Sequence, residues 1–265
     1  GMVMIGEGKA TYQGETLDGA EALKRAGLKP VVLSSKEGLI LLSGTTSVTA
    51  FASLATYDAQ ALSLTADIAG SFSLEVLKGT LMAMDERLMA VRPHPDQINT
   101  AANIRAILKD SPMLERYRGH RVQDALSISC MPQLHGPVKK AIKDAQATLA
   151  IELNSSVDNP LIFDEEDGGA VALMGYNAAK KAYDSMHLAK YILAAELICD
   201  GQALDCYEDK RCAKGTQAIY DLLRSKVPEM DNDMPLTPYL EAVAQQIIDR
   251  AYIRTVEASV GALKF

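Results

Sequence analysis

The placement of proline constrains this chain more than any other feature. Its ten prolines stand at 30, 93, 95, 112, 132, 137, 160, 228, 235 and 238 and leave two long stretches, 31–92 and 161–227, without one. A proline in a helix interior removes a backbone hydrogen bond and costs about 3 kcal/mol, so long helices belong in the proline-free stretches. Composition agrees: aromatics make up 5% of the residues and tryptophan is absent.

Local patterning places the elements. Residues 2–44 read as an irregular lead with one short helix, Asp18 to Ala26, closed by Gly27 in the position where a C-terminal glycine belongs. Pro30 to Glu37 reads as extended or loop. Thr45 to Ile68 has apolar residues at helical spacing (Val48, Phe51, Ala55, Leu62, Ala66). Gly70 and Ser71-Phe72-Ser73 are expected to interrupt it, with Ser73 capping a second helix from Leu74 to about Val91. Shorter helices follow at Gln97 to Leu108 and at Val138 to Leu153, around a loop over 119–137 that is a functional candidate. Asn154 to Pro160 should break the helix before it. Asn177 to Leu204, Lys214 to Ser225 and Thr237 to about Val260 complete the helices, the last with Thr237 as N-cap and Pro238 in the first turn. The expected fold class is all-α, a bundle of long antiparallel helices forming one domain over 2–265, with its core in 45–265. Segment 186–204 is apolar nearly all round, which predicts a helix covered on every side, within the chain or in a homo-oligomer.

Charge and cysteine content exclude other classes. The net charge is −7, from 27 basic and 34 acidic residues, which lacks the basic footprint of a nucleic-acid binder. No apolar run reaches the ~20 residues of a transmembrane helix, so no membrane partner is expected. No secretory signal opens the chain, and the four cysteines (Cys130, Cys199, Cys206, Cys212) form no C-x-x-C pair, so reduced thiols in the cytoplasm and no metal site are expected. His94 between two prolines reads as a turn histidine, and His135 as structural. Lys139-Lys140 and Lys210-Arg211 read as solvated basic pairs.

Nucleotide-binding, zinc-protease and serine-hydrolase motifs are absent. A different set of words stands in order along the chain: Lys36-Glu37-Gly38-Leu39, Arg92-Pro93-His94-Pro95, Val122-Gln123-Asp124-Ala125, Pro132-Gln133-Leu134-His135-Gly136, and Ser155-Ser156-Val157-Asp158-Asn159-Pro160-Leu161-Ile162-Phe163. This set resembles the aromatic amino acid ammonia-lyases, histidine ammonia-lyases most of all, from about Met4 to beyond Leu204. The resemblance implies a mainly helical fold and a homo-oligomer, a tetramer whose long helices pack in a central bundle.

It also implies a chemistry that can be checked residue by residue. The family removes ammonia from an aromatic amino acid through an internal electrophile, methylidene-imidazolone, formed by cyclisation of its own Ala-Ser-Gly. This sequence holds no Ala-Ser-Gly: Ala52-Ser53 is followed by Leu54, and Ala258-Ser259 by Val260. The resemblance places the start of this chain just after the electrophile, so the electrophile is not expected as a cofactor here, and no intact catalytic residue is expected. Ser43 stands where the family has an asparagine that helps to hold the electrophile. Gln123 matches the family's pocket glutamine. Leu126 replaces a tyrosine, and Ser129 replaces the arginine that forks onto the substrate carboxylate, a strong geometric contact that a serine does not reproduce. Phe163 is followed almost at once by Asp164-Glu165-Glu166-Asp167, and Glu166 aligns with the family's Gln-Glu-Asp word across a missing segment. Three readings follow: a truncated homologue without lyase activity of its own that serves as a helical ligand- or partner-binding scaffold; one subunit of a split ammonia-lyase, whose partner chain carries the missing N-terminal half; or an enzyme of altered chemistry that cyclises Leu42-Ser43-Gly44.

Overall fold

The computed structural model describes residues 1–156, 176–232 and 234–265, with the backbone alone at Ser43 and 176–180. It divides into two compact units, Gly1–Phe51 with Ile151–Ala179, and Ala52–Ala150 with Lys180–Phe265.

The first unit is more ordered than its sequence suggests. Strands β1 (Lys9–Tyr12) and β2 (Glu15–Asp18) form an antiparallel hairpin in which Tyr12 pairs with Glu15. Gln13 and Gly14 between them take φ of 50° and 83°, the left-handed pair that matches the twist of a two-residue hairpin loop. Helix α1 (Gly19–Arg25) follows directly. It ends as expected: Leu28 N–H reaches Leu23 O at 2.9 Å and Gly27 N–H reaches Lys24 O at 3.1 Å, a Schellman closure with Gly27 at φ 72°. The loop from Pro30 gives way to helix α2 (Glu37–Ser43), where no helix is expected. The Glu37 carboxylate accepts from Ser34 N–H at 2.6 Å, so the first helical residue caps its own entry.

The second unit holds the helical core. Helix α3 (Thr46–Val76) is unbroken for 31 residues and overrides the expected interruption at Gly70-Ser71-Phe72-Ser73. Tertiary contacts at Gly70, Phe72 and Ser73, and a bond within the helix at Ser71, keep these residues helical. A Cβ on Gly70 would run into the Met131 sulfur. Ser71 Oγ donates back to Asp67 O at 2.7 Å, Phe72 is fully buried, and Ser73 Oγ meets carboxyl groups of α9 instead of capping a new helix. The expected helix from Leu74 to Val91 is therefore absent. A short 3-10 turn (Leu81–Met84) and helix α4 (Glu86–Ala90, capped by Asp85) stand in its place.

Helix α5 (Pro95–Ile107) starts at its proline, with His94 as N-cap. Ser111 caps α6 (Pro112–Arg116) by accepting from Leu114 N–H at 3.0 Å. The expected loop over 119–137 ends early: α7 (Leu126–Ser129) and α8 (Met131–Glu152) occupy its second half. Pro137 sits inside α8 and forfeits one backbone bond, but the turns around it are buried at Met131, Pro132, Gly136 and Lys139. Gly136 packs so closely that a Cβ there would lie 2.7 Å from Gln97 N.

Helices α9 (Tyr176–Asp205) and α10 (Lys214–Arg224) fall within a residue of expectation. The final helix is divided into α11 (Thr237–Ile248) and α12 (Ala251–Val260), and Leu236 takes the N-cap position expected of Thr237. Arg250 breaks it at φ 57°; its guanidinium lies 3.7 Å from the Tyr57 ring centre and donates to Tyr57 O, contacts that compensate the strained backbone. The core is continuous: Ile68 and Phe72 of α3 pack with Ile104 and Ile107 of α5, Leu197 of α9, Ile219 of α10 and Val256 of α12. Leu188 and Ile192 of α9 are instead 67% and 72% exposed. With Ala195 and Cys199, also exposed, they form a stripe spaced by four, three and four residues. No helix among the described residues is long and apolar enough to cross a membrane.

Candidate functional site

The residues singled out from sequence divide between the units. Ser43 is the last residue of α2 in the first unit, and Gln123, Leu126 and Ser129 belong to the second. Glu166 lies outside the described residues. The loop of 117–125 leading into α7 places Gln123 and Leu126. Its anchor is Asp124, which is buried and accepts from Thr80 N–H at 2.7 Å. The flanking Gln123 is exposed, and Leu126 is 71% exposed. Ser129 points its hydroxyl back to Ala125 O at 3.3 Å, so its polar group serves its own helix.

Residues 117–121 and Asp124 of this loop wall a cleft of about 1080 Å³ together with Lys78, Thr80, Arg87 and Arg105; Gln123, Leu126 and Ser129 do not line it. Most of its charges are already paired. Arg87 binds Asp85 at 2.7 Å, Arg105 binds Glu86 at 3.0 Å, and Arg118 pairs with Glu115. Arg87 holds the Asp85 carboxyl down to about 2, through its side chain first and its backbone N–H second. Lys78, two residues past the end of α3, takes φ 59°, with its ammonium 4.5 Å and 5.0 Å from the Tyr117 and Tyr207 ring centres. Among the described residues no cluster of three or more histidine, cysteine or acidic side chains could hold a metal ion.

The internal electrophile can be tested against the backbone. Ala52-Ser53-Leu54 lies inside α3, where Ser53 O accepts from Thr56 Oγ1 at 3.0 Å. Ala258-Ser259-Val260 ends α12, where Ser259 Oγ donates to Val256 O at 2.9 Å. At Leu42-Ser43-Gly44, the Gly44 N–H that a cyclisation would use as nucleophile donates to Ile40 O at 2.8 Å. All three segments are engaged in helical hydrogen bonding.

Three buried polar assemblies escape a pattern reading. Lys139 is fully buried, and its ammonium meets Asp67 Oδ2 at 2.5 Å, which overturns the solvated reading of Lys139; only Lys140 faces water, paired with Asp144 at 2.6 Å. Asp67 also takes Asn103 Nδ2 at 2.8 Å and faces His135 Nδ1 at 2.8 Å, which gives His135 a structural partner. Glu75 is fully buried and accepts from Ser111 Oγ, Thr216 Oγ1 and Ala213 N–H, tying α3 to α6 and α10; burial pushes its carboxyl up against these three donors. The third assembly is Ser73, Glu196 and Asp200. The available signal was position: His135 and Lys139 lie one turn apart on α8, and Asp67 precedes the apolar Ile68-Ala69.

A helical core with a short α7 after an exposed loop defines a fold shared with solved lyases and aminomutases. The structure superposes on tyrosine aminomutase from Streptomyces globisporus with a TM-score of 0.88, at 22% identity, covering 99% of this chain and 72% of that one. It superposes on histidine ammonia-lyase from Trypanosoma cruzi with a TM-score of 0.83, at 22% identity, covering 98% and 67%. The sequence matches the family model described as aromatic amino acid lyase over residues 1–173, and the chain belongs to that family. It is 49% identical to a histidine ammonia-lyase of Sorangium cellulosum over 179 residues, 66% of this chain and 35% of that protein. It is 31% identical to histidine ammonia-lyase 2 of Fusobacterium nucleatum over 354 residues, 98% of this chain and 69% of that protein. The matched stretch thus spans from about a third to about two thirds of these relatives' length. An alignment of 354 positions that takes in 98% of a 265-residue chain leaves about 90 positions facing a gap in this chain.

Proposed function

We propose that these 265 residues form the helical scaffold of an ammonia-lyase of the histidine type and do not by themselves eliminate ammonia. The observation that carries this reading is the absence of an electrophile-forming Ala-Ser-Gly, together with the helical hydrogen bonding of each partial match. The residues at the family-pattern positions support it. Ser129 spends its hydroxyl on Ala125 O, and Leu126 offers no phenol, so a substrate carboxylate would find neither a fork nor a proton carrier here. The exposed stripe of α9 supports a homo-oligomer, a tetramer by the family pattern, and the acidic, cysteine-poor chain a cytoplasmic location.

The test is direct. Purified protein incubated with histidine, phenylalanine or tyrosine is expected to release no ammonia and to show no near-ultraviolet absorbance of the electrophile. Ammonia release above a heat-inactivated control would overturn the reading. A second reading has one observation behind it: 31% of the Fusobacterium relative lies outside its alignment with this chain. In that reading a segment bearing Ala-Ser-Gly, in the same or a companion chain, completes the site. Co-expression with such a segment is expected to restore ammonia release. Failure of the assembled pair to do so would remove it.

A further inference from the structure

Two carboxyl groups of α9 meet on one hydroxyl of α3. Ser73 Oγ lies 3.0 Å from Glu196 Oε1 and 2.8 Å from Asp200 Oδ2. Glu196 and Asp200 are one helical turn apart and therefore neighbours on one face. Asp200 is 7% exposed. A serine hydroxyl has one proton to donate, so it serves one of the two acceptors. If both carboxyls were ionised, the second would face the hydroxyl's lone pairs and the charge of the first. The geometry closes when one carboxyl keeps its proton and donates it to Ser73 Oγ, while Ser73 donates to the other.

Among the described residues no cation relieves this pair. On α3, Asp67 is bound to Lys139, and Glu75 is held by Ser111, Thr216 and Ala213. From α10, Arg224 and Tyr220 both turn to Asp205, as does Lys210 from the loop before it. Tyr207 donates to Val76 O at 2.7 Å, and Lys78 sits over aromatic rings. Glu241 of α11 accepts from Tyr191, and Tyr252 of α12 pairs with Gln246.

We infer that Ser73, Glu196 and Asp200 hold one shared proton in the folded protein, and that losing it loosens α9 from α3, so that the cluster is a pH-sensitive clasp within the second unit. Burial pushes the Asp200 carboxyl up to about 8; the charge of Glu196 adds to this, and the Ser73 hydrogen bond opposes it. In the unfolded chain an aspartate titrates near ~3.9. The folded state therefore binds the extra proton between the two values, and stability falls as pH rises through that window.

The test is the urea midpoint of the full chain from pH 5 to pH 9, for wild type and Asp200→Asn, with infrared detection of protonated carboxyl at pH 7. Asn preserves the shape of the site without the titrating proton. The wild-type midpoint should fall as pH rises, and Asp200→Asn should flatten that slope and lose the protonated-carboxyl band. An unchanged slope, or an unchanged band, in Asp200→Asn overturns the inference. Glu196→Gln provides a second arm if Asp200→Asn does not fold. It removes the neighbouring charge and should move the wild-type transition to lower pH, whereas an unmoved transition counts against the clasp.

Discussion

Replacing Lys139 by methionine should cost this protein more than almost any surface change, although the sequence presents Lys139-Lys140 as a polar pair. Lys139 and Asp67 are both fully buried, with the ammonium 2.5 Å from the carboxylate. Lys139→Met keeps the side chain's length and volume but leaves Asp67 with Asn103 and His135 in a site closed to water. Stranding one charge of a buried pair costs about 3–5 kcal/mol. At about 1.4 kcal/mol per decade, that is two to three and a half decades in the unfolding equilibrium. Removing the second charge as well, in Asp67→Asn/Lys139→Met, should return about half or more of the loss, since a neutral buried pair needs no compensation. The matched control is Lys140→Met, whose partner Asp144 is solvent-exposed; it should cost less than ~0.5 kcal/mol. Urea unfolding followed by far-ultraviolet circular dichroism measures wild type, Lys139→Met, Asp67→Asn, the double variant and Lys140→Met at pH 7. A Lys139→Met variant within about 1 kcal/mol of wild type would refute the reasoning, as would single-variant losses that simply add in the double variant.

The other expectations are separate. Glu75→Ala strands three donors, Ser111 Oγ, Thr216 Oγ1 and Ala213 N–H, and should lower stability by about 2–4 kcal/mol; a calorimetric melt indistinguishable from wild type would contradict the role given to Glu75. Gly136→Ala puts a methyl 2.7 Å from Gln97 N, backbone that has little room to yield, and should cost about 1–3 kcal/mol by chemical denaturation; a neutral substitution would mean that α5 and α8 shift apart freely. Ser129→Arg puts a cation at the end of α7 and should leave ammonia release at background in an endpoint assay, because no electrophile is restored; any release would sink the proposed function.

The fold was legible where local and tertiary preferences agree. The α1 closure at Gly27 and the span of α9 follow from residues whose chemistry acts within a turn. Misreadings arose where distant contacts overrule local ones. Gly70-Ser71-Phe72-Ser73 contains the residues of a helix break, yet Met131 fills the space over Gly70, and α9 engages Ser73. Pro137 reads as the edge of a loop, but burial on either side carries α8 through it. Arg250 breaks the last helix with no local signal, since Tyr57 holds it from 193 residues away. At the candidate site, residue identity was informative: a leucine at 126 has no phenol wherever it lies. The buried groups at Glu75 and Asp200 were not legible, and at Lys139 only the one-turn spacing from His135 hinted at burial, because a charged residue's burial depends on which helix covers it.

The account rests on a lyase scaffold that carries no electrophile of its own, and intact-protein mass spectrometry tests this most directly. Cyclisation of a tripeptide such as Leu42-Ser43-Gly44 expels water and leaves a lighter chain. The measured mass should equal that of the unmodified sequence, whereas a mass short by the water that cyclisation expels would contradict the account.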